Sequence, residues 1–143
     1  MTKQRLEGDF TRILKELGVW YMKLQVNVNA HTATPADYII LTKNKRILVE
    51  CKECRGKSFT FDRLTQYGHL SAFVAAPGSN YSYVLICFWL GTKKKSLYYM
   101  IPIQVMGDFM QVIPKKSANI MDFKLRLGEY RYDYADIRLI FNI

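Results

Sequence analysis

The sequence is short of several things, and each shortage excludes something. Cysteine is scarce: three residues in 143, which cannot all pair, so no disulfide framework is expected and a reducing, intracellular setting fits. Cys51 and Cys54 form a CxxC pair, but a zinc site would want a second pair at suitable spacing. Only Cys87 remains, and the two histidines, His31 and His69, lie far apart. A redox CxxC would open a helix, whereas Cys51 falls inside a strand-like run. The longest apolar run, residues 83–90, is far below the ~20 residues that a membrane span needs. The N-terminal MTKQRLEGDF has no apolar h-region, so no signal peptide is expected. Proline and glycine number only four and eight, and no linker, repeat or low-complexity segment interrupts the chain. Acidic residues are also outnumbered, 12 against 21 basic ones.

What is present points to one α/β domain spanning residues 1–143, located in the cytoplasm. Hydrophobic residues make up 50% of the chain and aromatic residues 14%, ample for a packed core. The net charge is +9 and the pI about 9.5. In so small a domain this favours a polyanionic partner, nucleic acid above all.

Leu6, Phe10, Ile13, Leu14 and Leu17 fall on one stripe at helical period, with Gly18 as the stop. Residues 19–28 alternate β-branched and aromatic side chains as a strand does. Residues 37–42 (DYIILT) and 46–52 (RILVECK) read as two strands joined by the turn Lys43-Asn44-Lys45. A helix is expected over 62–76 with Asp62 as its N-cap, ended by Pro77 and Gly78. Residues 83–90 read as a strand buried on both faces. Residues 97–103 read as a further strand, 104–110 as a short helix, and 137–143 as a last strand.

Side chains along a strand alternate between faces, so Glu50 and Lys52 point the same way. Pairing across the turn at Asn44 would set Asp37 opposite Cys51 or Lys52, beside Glu50, and diagonal neighbours also meet. Asp37, Glu50 and Lys52 therefore converge. Hard divalent cations take oxygen ligands, and Mg²⁺ commonly uses one or two carboxylates plus water and substrate phosphate. Asp37 and Glu50 suit that role, with the Cys51 backbone carbonyl as a further candidate ligand. Such an ion promotes water to a nucleophile at neutral pH. Lys52 can orient that water or stabilise charge in the transition state. Glu7, at the border of the helix's apolar stripe, is a fourth candidate, though solvated helix charge explains it equally well.

On these residues the chain resembles the PD-(D/E)XK nuclease superfamily, in the order Glu7 on a helix, TPAD (34–37), VECK (49–52), and a Gln-bearing helix. Within it the sequence resembles RecU-type Holliday junction resolvases of Gram-positive bacteria and their phages. The segment ADYIILTKNKRILVECKECRGKSF carries the likeness, with 12 residues between Asp37 and Glu50. LTQYGHL (64–70), KSANIMDFKL and YRYDYADIRLI extend it. The resemblance implies a restriction endonuclease-like fold, a mixed β-sheet flanked by helices. It implies a homodimer that nicks four-way DNA junctions symmetrically with Mg²⁺, for which Mn²⁺ is an admissible substitute. Asp37, Glu50 and Lys52 carry over as metal ligands and catalytic lysine, Gln66 as an active-site helper, and Glu7 as an additional acid. A phage or mobile element in a bacterial host is the implied origin. The interval 25–36 is shorter than the basic stalk that RecU proteins carry there.

Positive charge clusters at Lys43, Lys45 and Arg46, at Arg55 and Lys57 beside Lys52, at Lys93, Lys94 and Lys95, and at Lys115 and Lys116. Together these turns suit a phosphate track, which supplies affinity that falls with salt. No element looks like a base-reading helix, so recognition of DNA shape is expected. Tyr81, Tyr83, Tyr98, Tyr99, Tyr130, Tyr132 and Tyr134 fall on strand-like stretches and are expected to pack rather than to stack on bases. The competing readings are a restriction-like or flap nuclease of the same superfamily, and a DNA-binding module without catalysis.

Overall fold

The computed structural model describes residues 5–24 and 34–141. Its first helix, α1 (Arg5–Leu17), buries Leu6, Phe10, Ile13 and Leu14 as the stripe predicts. Gly18 follows in the left-handed region at φ 72°, and its N–H closes onto the Leu14 carbonyl at 3.1 Å, as a glycine C-cap does.

The chain then builds β1 (Trp20–Lys23), β2 (Tyr38–Leu41) and β3 (Arg46–Cys54). The expected strand over 19–28 is thus described only to Lys23, and its remainder from residue 25 lies outside the described residues. A parallel crossover through α2 (Tyr67–Ala75) leads to β5 (Asn80–Phe88). Between β3 and α2 lie a short strand, β4 (Ser58–Thr60), and a 3₁₀ turn, Phe61–Arg63. After β5 come β6 (Leu97–Pro102), α3 (Ile103–Val112), β7 (Ser117–Asn119), α4 (Ile120–Arg126) and β8 (Arg131–Tyr132).

Six strands form one sheet in the order β1-β2-β3-β5-β6-β8, antiparallel except for β3 and β5; β4 and β7 pair apart as a two-stranded ribbon. Alternation splits the core into two layers. Ile47, Val49, Cys51, Leu85, Cys87, Tyr98 and Met100 meet α1 and the C-terminal segment. Leu48, Val84, Ile86, Phe88, Tyr99 and Ile101 meet residues of α2, α3 and α4. This mixed sheet flanked by helices is the expected fold class. Among the described residues no helix is long and apolar enough to cross a membrane.

Several local expectations change. The helix expected from Asp62 begins five residues later at Tyr67, because residues 58–60 first pair with β7 and 61–63 turn as 3₁₀. Asp62 caps nothing there. The last two residues of the final strand expected over 137–143 lie outside the described residues; as far as residue 141 it is instead a 3₁₀ run, Tyr134–Phe141. Its spacing lets Ile137, Ile140 and Phe141 all reach the α1 side of the core, which an extended strand with alternating faces would not do. The strand expected over 83–90 runs instead from Asn80 to Phe88, and is buried on both faces over most of its length. The CxxC cysteines are free, and being three apart on β3 they enter different core layers.

Candidate active site

The candidate site arises where β3 loses its neighbour on one side. β5 runs beside all of β3, from Arg46↔Asn80 to Cys54↔Phe88. β2 covers β3 only as far as Tyr38↔Val49. The pairing sum is therefore 38 + 49 = 87, so continuing the ladder sets Asp37 opposite Glu50 rather than Cys51 or Lys52. The turn is one residue longer than expected, spanning 42–45. Beyond Val49 a side chain extends the ladder: Asp37 Oδ2 accepts the Cys51 N–H at 2.9 Å. The Asp37 backbone is held on both sides, donating to the Val49 carbonyl at 3.1 Å and accepting from the Leu24 N–H at 2.7 Å.

Glu50 is 2% exposed. Its Oε2 lies 3.1 Å from Lys52 Nζ, while its Oε1 is buried without a hydrogen-bond partner. Burial, then the neighbouring Asp37 charge, push the Glu50 carboxyl up to about 7, against the opposing pull of Lys52. Burial also raises Asp37; the Cys51 N–H opposes this and Glu7 adds to it. A buried carboxylate oxygen without a donor, beside a second carboxylate, is the arrangement a hard cation relieves. Among the described residues no three His, Cys, Asp or Glu side chains group as an all-protein cage. The donor set on offer is small and all oxygen, which suits Mg²⁺ better than zinc.

Glu7 belongs to this group. The Glu53 carboxylate accepts the Leu6 N–H at 3.0 Å, tying the first turn of α1 to β3. Tyr38 donates its phenol proton to the Glu7 carbonyl at 2.7 Å. The Glu7 side chain then pairs with Lys23 Nζ at 3.0 Å, and its charge is felt by both Asp37 and Glu50. Sequence alone does not single out Lys23; it reaches Glu7 because β1 ends with Lys23 directly opposite Tyr38, the residue after Asp37.

Among the described residues Gln66 has no hydrogen bond joining its Oε1 to this network. It occupies the N-cap position of α2, and its Oε1 is buried with no hydrogen-bond partner, so it does not bond to Lys52.

The basic residues divide between two ends of the sheet. Lys43 and Lys45 occupy the β2–β3 turn and Arg46 opens β3; with Leu41, Thr42, Asn44 and Ser79 they line a shallow cavity of about 410 Å³. Lys45 Nζ lies 5.2 Å from the Tyr81 ring, and Arg46 donates to the Pro77 carbonyl at 2.8 Å. Arg55, Lys57 and Lys93 to Lys95 follow the opposite ends of β3 and β5. Arg46 opens β3 and Arg55 follows its last residue, Cys54, so the two groups lie roughly 30 Å apart along the strand at about 3.3 Å per residue. Lys93 is committed to α1 through Asp9 at 3.4 Å. Arg55 pairs with Glu53 at 2.6 Å. Lys115 and Lys116 are exposed just before β7. Of the tyrosines, Tyr98 and Tyr99 are buried, Tyr83, Tyr130, Tyr132 and Tyr134 are half-buried, and Tyr81 is exposed.

No protein-family model and no curated protein matches the sequence. The structure is similar to that of Hjc, a Holliday junction resolvase from the archaeal hyperthermophile Archaeoglobus fulgidus. The TM-score is 0.62 at 14% identity, over 94% of this chain and 98% of that one. At that identity the likeness speaks for the fold alone, a mixed sheet flanked by helices.

Proposed function

We propose that this chain is a metal-dependent, structure-selective DNA endonuclease, and that its preferred substrate is the four-way junction. The observation that carries the reading is the convergence of Asp37, Glu50 and Lys52 where the β2–β3 pairing ends, with one buried Glu50 oxygen unpartnered. The fold shared with a junction resolvase supports it, as does the +9 charge.

Asp37 and Glu50, with the Cys51 carbonyl, would hold a divalent ion, Mg²⁺ by preference and Mn²⁺ as substitute. Bound there, such an ion makes water acidic enough to serve as nucleophile and neutralises charge on the phosphate. Lys52 keeps its ammonium against Glu50 and can turn it to a non-bridging phosphate oxygen, where negative charge grows in the transition state. Glu7, held by Lys23, adds a further carboxylate to the same field. Gln66 is proposed as a helper on the substrate side. Lys43, Lys45, Arg46, Arg55, Lys57, Lys94 and Lys95 are proposed DNA contacts at the two ends of the sheet. A RecU-like homodimer, acting in a bacterial cell on host or phage DNA, would bring two such centres to two strands.

The test offers labelled four-way junction, Y-fork, flap and linear duplex, with and without Mg²⁺, to the protein, Asp37→Asn and Lys52→Ala. Paired symmetric nicks in the junction, lost without the ion and in both variants, are the expected result. Equal cutting of flap or duplex removes the junction assignment and leaves a branch or restriction-like nuclease. Binding with no cutting of any substrate leaves a DNA-binding module.

A further inference from the structure

The 3₁₀ turn after β4 ends in Arg63, whose guanidinium folds back onto the end of β3. Nη2 donates to the Glu53 carbonyl at 2.9 Å, and Nη1 donates to Cys54 Sγ at 3.5 Å. The guanidinium carbon lies 5.6 Å from the ring of the fully buried Phe59. The side chain is thus fixed on three sides, yet the residue is exposed. Among the described residues no carboxylate forms an ion pair with it. Glu53, the nearest acid along the strand, turns its side chain to Arg55 and the Leu6 N–H instead.

A guanidinium has five N–H donors, so about three remain for a ligand after the two bonds to β3. Its position gives those donors a purpose. Glu50, Lys52 and Cys54 share one face of β3, and Arg63 covers Cys54. Along that face the order is carboxylate, ammonium, guanidinium. The guanidinium is held level with Cys54, two strand residues past Lys52, which is roughly 7 Å of backbone rise along β3. A mere tie between the turn and the strand would need a donor but no charge. A fixed, unneutralised guanidinium loses little side-chain freedom on meeting an anion, and its planar fork matches phosphate geometry.

We propose that Arg63 is a phosphate anchor: it holds the backbone phosphate next to the scissile one on the strand being cut. The inference rests on the reading of Asp37, Glu50 and Lys52 as the cleaving centre. It adds the binding site that sets where the strand lies against that centre.

The experiment measures junction binding in chelator, in the Asp37→Asn background, across a salt series. Arg63→Gln keeps an amide donor for Glu53 and Cys54 but removes the charge. The expected result is affinity about tenfold weaker and a slope of log K against log salt smaller by about 0.9, one phosphate contact. Uncharged methylphosphonates placed one at a time on the cut strand supply the second readout. The neighbour of the scissile position should weaken the parent and leave Arg63→Gln indifferent. An unchanged slope with an unchanged methylphosphonate pattern overturns the anchor, whatever happens to the melting temperature. The two readings fail separately. Junction cutting that survives Asp37→Asn removes the cleaving centre. Cutting lost there, with Arg63→Gln still sensitive at every phosphate, removes only the anchor.

Discussion

Asp37 Oδ2 accepts the backbone N–H of Cys51 at 2.9 Å, two residues past Val49, where β2 stops pairing with β3. A carboxylate here does the work of a missing strand residue, and this places it level with Glu50. The bond gives Asp37 two separable roles. Asp37→Asn keeps an oxygen for the Cys51 N–H and loses the charge. Its cleavage rate should drop by about 10²-fold or more, with a small change in unfolding free energy. Asp37→Ala leaves that N–H without its acceptor and should lose about 1–3 kcal/mol of stability as well. Denaturant melts beside single-turnover cleavage separate the two, and equal stability of both variants would remove the structural role.

The carboxyl of Glu50 sits at about 7 in the folded chain, against an ordinary value of 4.5. A raised acid binds its proton more tightly when folded. Its contribution is complete below pH 4.5, falls as pH rises from there, and is gone above about 7. The loss is at most about 3 kcal/mol from this one group. Asp37 is raised too and acts in the same direction. In chelator the melting temperature should therefore decline from pH 5 to pH 7.5, and Glu50→Gln should flatten the decline. Mg²⁺ added at pH 7.5 should recover stability in the parent but not in that variant. A melting temperature that rises over this range without the ion contradicts the buried pair.

Much of this centre was legible in the sequence because strand alternation and one short turn are local rules. They placed Glu50 and Lys52 on one face and brought Asp37 beside them, missing the register by one or two residues because the turn took in Thr42. Glu7 was open to two readings, because the contacts that hold it, Lys23 and Tyr38, come from two other elements. The C-terminal Ile137 to Phe141 read as a strand by composition, but its packing against α1 decided otherwise. Asp62 looked like a helix cap, and the β4–β7 pairing that displaced it joins residues nearly 60 positions apart in the chain. Such long-range pairing leaves no periodic mark.

Neighbouring charges should move Glu50 in opposite directions. Glu7 raises its carboxyl and Lys52 lowers it. Glu7→Gln should shift the Glu50 titration to lower pH and Lys52→Ala to higher pH, read by carboxyl-carbon NMR in chelator. Shifts of the same sign in both variants would mean that conformational change, not charge, dominates.

Phe123 closes the core on the far side of the sheet. Its ring lies 4.9 Å from those of Phe88 and Phe109, 5.2 Å from Tyr99 and 6.5 Å from Phe59. Truncation to alanine leaves a void among four rings that cannot collapse into it without breaking strand and helix contacts. Phe123→Ala should lose about 3–5 kcal/mol in urea unfolding, a large share of the ~5–15 kcal/mol that a domain holds. A loss under 1 kcal/mol would mean that α4 is not integral to the core.

The three consecutive lysines after β5 look alike in sequence but should behave differently. Lys93 Nζ lies 3.4 Å from the carboxylate of Asp9, which is 6% exposed, and 4.9 Å from the Tyr134 ring. It therefore joins the β5–β6 turn to α1 and to the C-terminal segment. Lys94 and Lys95 are exposed. Lys93→Ala should lower stability by about 1 kcal/mol, because half-exposed pairs are weak. It should leave the salt dependence of DNA binding nearly unchanged. Lys94→Ala and Lys95→Ala should do the reverse, leaving the melt unmoved while each lowers the salt slope by up to about 0.9. If Lys93→Ala lowers the slope as much as the other two, its pairing with Asp9 yields to phosphate when DNA binds. The β5–β6 turn would then act as a single cationic tip.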